Sequence, residues 1–258
     1  MKQYIKNFTK FRFLLMELVK KGIKLKYRRS YLGIIWTLLE PLLTMMVLVL
    51  VFGTFFGKDD PTFPVYVLTG RLLYSFFSTG TKTAMRSVRQ NAAMIKKVYV
   101  PKYMYPLSTV IYEYVIFLIS LIVLFVVSIV LKVEPTVYLI QAVVPLILVF
   151  ILTLGVGLIL STVAVFFRDM EYIWSVALML IMYTCAIFYQ TEKVIGTGNG
   201  WVFKINPLYS IIAIFRNAVY GQPMELYHLC YATIFSIGTV IVGVILFIKK
   251  QDEFILQL

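Results

Sequence analysis

The stretch KYRRSYLGIIWTLLEPLL, Lys26 to Leu43, decides how the whole chain is read. Lys26, Arg28 and Arg29 precede an apolar run, and Glu40-Pro41 interrupts that run soon after it starts. Proline at 41 has no backbone N–H and crowds the carbonyl four residues earlier, at Thr37, so it predicts a bend. The cations predict a segment lying on an anionic membrane surface, which the bend turns into one that crosses. Glu40 then stays near enough to the inner interface to meet Arg28 and Arg29.

Composition agrees with that reading. The 258 residues are 60% hydrophobic and 16% aromatic. Only 14% are charged, against about 25% in an ordinary soluble domain. Mean hydropathy is +0.87, more apolar surface than one soluble core can hide, so lipid is expected to solvate much of it. A net charge of +13 would suit nucleic acid, but Lys and Arg cluster at the ends of apolar runs, the pattern of cytoplasmic loops. No nucleic-acid partner is expected. Cys185 and Cys230 sit in apolar runs without metal-ligand spacing and read as packing residues. The first apolar run has no small-residue cleavage site, so no signal peptide is expected.

Helical spacing organises the rest. Over 8–27, Phe11, Leu14, Leu15, Leu18 and Gly22 share one face, and Lys10, Glu17, Lys20, Lys21 and Lys24 the other. That is an amphipathic helix suited to an anionic leaflet, or alternatively to a soluble partner. Six apolar runs long enough to cross follow, at 34–56, 64–83, 109–131, 138–167, 171–190 and 227–248. The fourth is overlong, predicting a tilt or a kink near Pro145. With six spans, the basic segments before Gly33, over 82–108, at Arg168 and at Lys249-Lys250 share one side, and hold nineteen of the twenty-five Lys and Arg. The expectation is an all-α, six-span integral membrane chain, a single domain over 1–258, with both termini cytoplasmic.

Two connections stand out. The cytoplasmic one over 84–108 carries Arg86, Arg89, Asn91, Lys96, Lys97 and Lys102, and Pro101 and Pro106 forbid one continuous helix. It reads as a short helix offered to a soluble partner, with lipid-headgroup anchoring as the alternative. The outer one, 191–226, contains NPLYSIIAIFRNAVYG, in which Asn206 suits an N-cap, Pro207 the first helical position and Gly221 the stop. About thirteen residues span only ~20 Å, too short to cross, which predicts a re-entrant or interfacial helix.

Known catalytic patterns fail. GTFFGKDD, from Gly53, is one residue short of a phosphate-binding loop and has Asp59 where the hydroxyl belongs. His228 is the lone histidine and reads as interfacial packing; Asp59-Asp60 is an isolated acidic pair, and no metal site is expected. Charges inside spans matter more, because each costs roughly 2.5–3.5 kcal/mol at mid-membrane without water or a partner. Glu40 and Arg71 line a polar path, or else pair or snorkel; Glu113 is read as paired or snorkelling.

Taken together, LKYRRSYLGIIWTLLEPLL, NAAMIKKVYVPKYMYPLS, FRDMEYIW and INPLYSI resemble the permease subunits of bacterial polysaccharide ABC exporters, including O-antigen and wall teichoic acid permeases. The resemblance covers nearly the whole chain. It implies an ATP-driven exporter of a lipid-linked polysaccharide in the inner membrane, built as a homodimer with two cytoplasmic ATPase subunits. ATP and Mg would bind that partner, leaving this chain without a cofactor of its own. It further implies that the N-terminal helix, with Lys20 and Lys24, and the 84–108 segment contact the ATPase. The segment with Asn206, Pro207, Tyr209 and Arg216 would gate the outer mouth. Tyr27, Arg28 and Arg29 are candidates for the substrate diphosphate, whose oxygens suit planar guanidinium groups. Glu40, Arg71, Tyr74, Phe77, Tyr183 and Tyr189 are channel candidates, since aromatic rings with polar tips suit sugars. The alternatives are a related permease for a drug or small lipid, and a secondary transporter, for which paired midplane carboxylates are wanting.

Overall fold

The computed structural model describes residues 11–28, 30–56, 60–97, 100–189 and 201–257, and among them every regular element is helical. They are α1 (Arg12–Tyr27), α2 (Trp36–Phe56), α3 (Phe63–Gln90), α4 (Ala92–Lys97), α5 (Met104–Val130), α6 (Val143–Phe166), α7 (Met170–Thr184), α8 (Trp201–Ile205), α9 (Pro207–Val219), α10 (Leu226–Lys250) and α11 (Phe254–Gln257). Short 3₁₀ turns precede α2 and α6 and follow α10.

Among the described residues, four helical stretches are long and apolar enough to cross a membrane: Gly33–Gly53, Met104–Val130, Val137–Phe166 and Leu226–Glu253. Two expected spans differ in character. Helix α7 has 15 residues, about 22 Å of rise, less than a ~30 Å hydrocarbon core. Helix α3 has 28 residues, but Arg71 and several Ser, Thr and Gly dilute its apolar stretch. The least apolar long helix is nevertheless the most enclosed: Val65, Val67, Leu68, Leu73, Ala84 and Val88 of α3 have no exposed surface.

Small residues let helix backbones meet. A Cβ on Gly155 of α6 would lie 2.6 Å from the backbone N of Val240, and one on Gly243 of α10 would lie 2.7 Å from the Gly155 carbonyl oxygen. Close backbone approach of this kind supplies the van der Waals contact that holds helices together where lipid removes the hydrophobic drive.

The chain turns consistently at two ends of the bundle. At one end Leu15 of α1, Ile95 of α4, Met104 of α5, Val165 of α6 and Phe247 and Phe254 near the C-terminus form a single buried cluster. The described parts of the four basic segments therefore meet at one end. At the far end the Tyr220 hydroxyl donates to the Thr62 carbonyl at 3.1 Å, and Gly221 packs against Thr136.

Two expected bends are placed differently. The helical path breaks between α1 and α2, where Gly33 adopts φ +51, while Pro41 lies inside uninterrupted α2. Pro145 occupies the third position of α6, where an N–H has no helical partner to lose, so it starts that helix rather than kinking it. Helix α3 also runs seven residues past the expected end at 83, carrying Arg86 and Arg89 on helix rather than loop.

Candidate functional site

Three groups of polar residues are built by this fold. The first is a pocket of about 80 Å³ between α2, α3 and α5, closed by the end of α1. Tyr27, Glu40 and Arg71 all line it, together with Lys26, Glu113, Thr37, Ser75, Thr79 and Ser120. Helix α1 is seated there by two contacts. A Cβ on Gly22 would lie 2.4 Å from the Tyr112 ring, so only glycine lets α1 approach α5 this closely. Lys26 Nζ donates to Glu113 Oε2 at 2.8 Å, and the Glu113 side chain is only 5% exposed. Burial, reinforced by the nearby Glu113 and Glu40 carboxylates, pushes the Tyr27 phenol up to about 12. Glu40 and Arg71 share the pocket without an ion pair among the described residues. Arg28 is exposed beside it, and Arg29 lies outside the described residues.

Sequence reasoning put Glu40 and Arg71 on one polar path, or paired, and missed the hydroxyls around them. The signal was present: Arg71, Ser75, Thr79 and Thr83 recur every four residues, one polar stripe along α3. The Lys26–Glu113 partnership carried no such signal.

The second group is the basic end. Arg86 Nε donates to Glu171 Oε2 at 2.9 Å, and Arg89 Nη1 lies 3.3 Å from Glu171 Oε1, tying the end of α3 to the start of α7. Asn91 caps α3, its amide donating to the Ser87 carbonyl at 2.8 Å. Lys102 donates to the Gln251 carbonyl and sits 5.9 Å from the Phe254 ring; burial lowers its pKa. These residues hold the end together. Lys24, Lys96 and Lys97 instead stay exposed, and Lys20 makes a surface pairing with Glu17 at 2.9 Å.

The third group is at the far end. Asn206 accepts from Leu208 N at 3.0 Å as the N-cap of α9, Pro207 begins that helix, and Gly221 ends it at φ +72. The Gln222 N–H returns to the Asn217 carbonyl at 2.7 Å, the closing bond of a Schellman stop. The Asn206 amide also donates to Thr184 Oγ1 at 2.8 Å, joining α9 to the end of α7. Arg216 is the buried centre of this region. Its guanidinium lies 3.5 Å over the Tyr66 ring and donates to the Tyr66 carbonyl at 3.2 Å and the Ala186 carbonyl at 3.0 Å. Ala186 is held at φ +48, and the Tyr66 hydroxyl donates to its carbonyl as well, at 3.2 Å. Tyr209 packs between Phe203 and His228, with ring centroids 5.8 and 5.6 Å away.

The aromatic channel candidates separate. Tyr74 is buried and donates to the Leu178 carbonyl at 2.9 Å; Phe77 is buried edge-on to Trp174 at 6.2 Å. Both lie in the core between α3 and α7. Tyr183 is half exposed, on the same outward α7 face as Tyr172, Val176 and Leu180. Tyr189 donates to the Tyr183 carbonyl and meets Phe203 at 6.0 Å.

A family model described as ABC-2 type transporter matches residues 14–220. The chain is 30% identical over 243 residues to an O-antigen export system permease protein RfbA of Klebsiella pneumoniae, covering 93% of each. It is 27% identical over 217 residues to an RfbA of Myxococcus xanthus, covering 84% of each. To the polysialic acid transport protein KpsM of Escherichia coli it is 25% identical over 241 residues, 90% of this chain and 91% of the relative.

Proposed function

The chain belongs to the ABC-2 type transporter family, and on that premise we propose that it is the membrane permease of an ATP-driven exporter of a lipid-linked polysaccharide. O-antigen, capsular polysaccharide and teichoic acid are the substrate class. The observation that carries the reading is likeness over nearly the full length to permeases named for O-antigen and polysialic acid export. ATP and Mg belong on a separate ATPase subunit, and the inner membrane is the site of action.

Six crossings, by α2, α3, α5, α6, α7 and α10, are the topology proposed. Its support is the alternation of turns between two ends, with the basic segments gathered at one. That end, and both termini, are placed in the cytoplasm. Short α7 crosses together with the turn that follows it, and α9 lies re-entrant at the outer mouth. Two copies assemble, as the resemblance to exporter permeases implies, and α2 and α7 present apolar faces for that contact, including Leu43, Val47 and Leu50 on one and Tyr172, Val176 and Leu180 on the other.

The mechanism follows from how α1 is attached. ATP-driven closure of the partner dimer pulls on Lys20 and Lys24 of α1 and on Lys96 and Lys97 of α4. Because α1 is locked to α5 at Gly22 and Lys26, that pull reaches the subunit core and opens a path between the two copies. Tyr27, Arg28 and Arg29 receive the substrate diphosphate at the entrance.

Co-expression with the cognate ATPase, followed by purification on a tag carried by this chain alone, tests the assembly. The expected result is co-purification and ATPase activity that depends on the permease. Depletion in cells should also leave lipid-linked glycan inside. Loss of both effects overturns the reading.

A further inference from the structure

We infer that the cavity between Arg89 and Arg168 holds a phosphate group, supplied by the headgroup of an anionic phospholipid in the cytoplasmic leaflet. Only the choice of leaflet rests on the proposed orientation. The cavity, about 210 Å³, lies where α3 turns into α4 against the end of α6. Its walls are Arg89, Ala92, Val165, Arg168 and Gln257.

The donors are already in place. Arg89 Nη1 is buried, and although it lies 3.3 Å from Glu171 Oε1 it lacks the alignment of a hydrogen bond and has no other partner. Glu171 engages Nη1 as an ion pair, and the Arg89 side chain, 34% exposed, has further guanidinium N–H groups for an anionic oxygen. Arg168, in the turn between α6 and α7, is exposed and forms no ion pair among the described residues. Arg86 and Arg89 share Glu171, and Arg168 stands next to the exposed Asp169 in the chain, three guanidinium groups against two carboxylates. Two guanidinium groups and Gln257 on the walls of one cavity are the donor types that phosphate oxygens take.

The rim selects the source. Phe166 and Phe167, immediately before Arg168, are 39% and 46% exposed, and Val165 gives the cavity an apolar wall. Exposed phenylalanines beside a guanidinium suit acyl chains below a headgroup, and basic pockets between helices at the cytoplasmic surface bind acidic lipid headgroups.

Native mass spectrometry of the full-length chain in detergent tests this, comparing retained phosphatidylglycerol with phosphatidylcholine. The wild type should prefer phosphatidylglycerol. Arg168→Gln removes one charge-assisted contact from an exposed turn and should weaken retention about tenfold. Ala92→Leu fills the cavity without altering charge and should weaken it too. If instead inorganic phosphate raises the unfolding temperature of the wild type but not of Arg168→Gln, and lipid preference is absent, the phosphate is a free one. Equal retention of both lipids with no phosphate effect overturns the proposal, as does unchanged retention in both variants. Loss of ATPase capture by Arg168→Gln with lipid retention intact overturns it in favour of a partner carboxylate. Micelles have no sidedness and no transport, so failure here leaves the proposed orientation and export role standing.

Discussion

Lys26 on α1 and Glu113 on α5, 87 residues apart, meet at 2.8 Å with the carboxylate almost wholly enclosed. A carboxylate in that position is tolerable only while its cation is present. Lys26→Ala should therefore destabilise the purified protein by about 2–3 kcal/mol, read as a drop in thermal unfolding temperature. Lys26→Met combined with Glu113→Gln should recover most of the loss, because the buried charge goes with its partner. Additive losses in the double variant would show that the pair is not coupled.

Gly22 makes a sharper test of the same docking. A side chain at 22 collides with the Tyr112 ring, so Gly22→Val should release α1 from α5 while leaving the remaining helices folded. The expected readout is faster proteolysis within α1 and lost coupling between ATPase activity and export. Gly22→Val with Tyr112→Ala should regain much of the protection. Equal protease resistance in Gly22→Val and wild type would sink the claim that close approach at this glycine seats the helix.

What could be read from the sequence divides by range. Asn206-Pro207 and Gly221 were legible because caps and stops are written in adjacent residues, and α9 occupies the interval they mark. The gathering of basic segments at one end was legible from charge alone. Arg216 was named there as part of an outer gate, but its place as a buried anchor was not legible, since its carbonyl partners at Tyr66 and Ala186 belong to α3 and to the turn after α7. Tyr74 and Phe77 likewise carry the residue types of a sugar-lined path, and only the packing of α7 shows that they are enclosed. The bend was assigned to Pro41 because proline is the louder signal; Gly33, eight residues earlier, takes the left-handed backbone that breaks the helical path.

Arg216 supports two carbonyls and stacks on one ring, so charge alone does not replace it. Arg216→Lys keeps the cation but loses the planar fork and should cost about 2 kcal/mol or more in thermal unfolding. Arg216→Lys at wild-type stability would show that a point charge suffices.

Asn206 performs two tasks that substitution can separate. Asn206→Asp retains the acceptor for Leu208 N but removes the donor to Thr184, whereas Asn206→Ala removes both. Loss of the cap alone costs about 1 kcal/mol, so Asn206→Ala should be the more damaging of the two. Equal unfolding temperatures for the two variants would place all of the value of Asn206 in its tie to α7.

The direction in which the basic end faces rests on charge, and a single introduced thiol decides it. Lys96 is exposed on α4, and native Cys185 is buried, so Cys230→Ser gives a background with little competing reactivity. In that background Lys96→Cys should resist a membrane-impermeant maleimide applied to intact spheroplasts and react once the membrane is opened. The physical reason is that clustered Lys and Arg flank spans on the side where they are retained during insertion. Labelling from outside in intact spheroplasts would place α1, α4 and the end of α10 away from ATP, and the proposed coupling through Gly22 and Lys26 would have no motor to transmit.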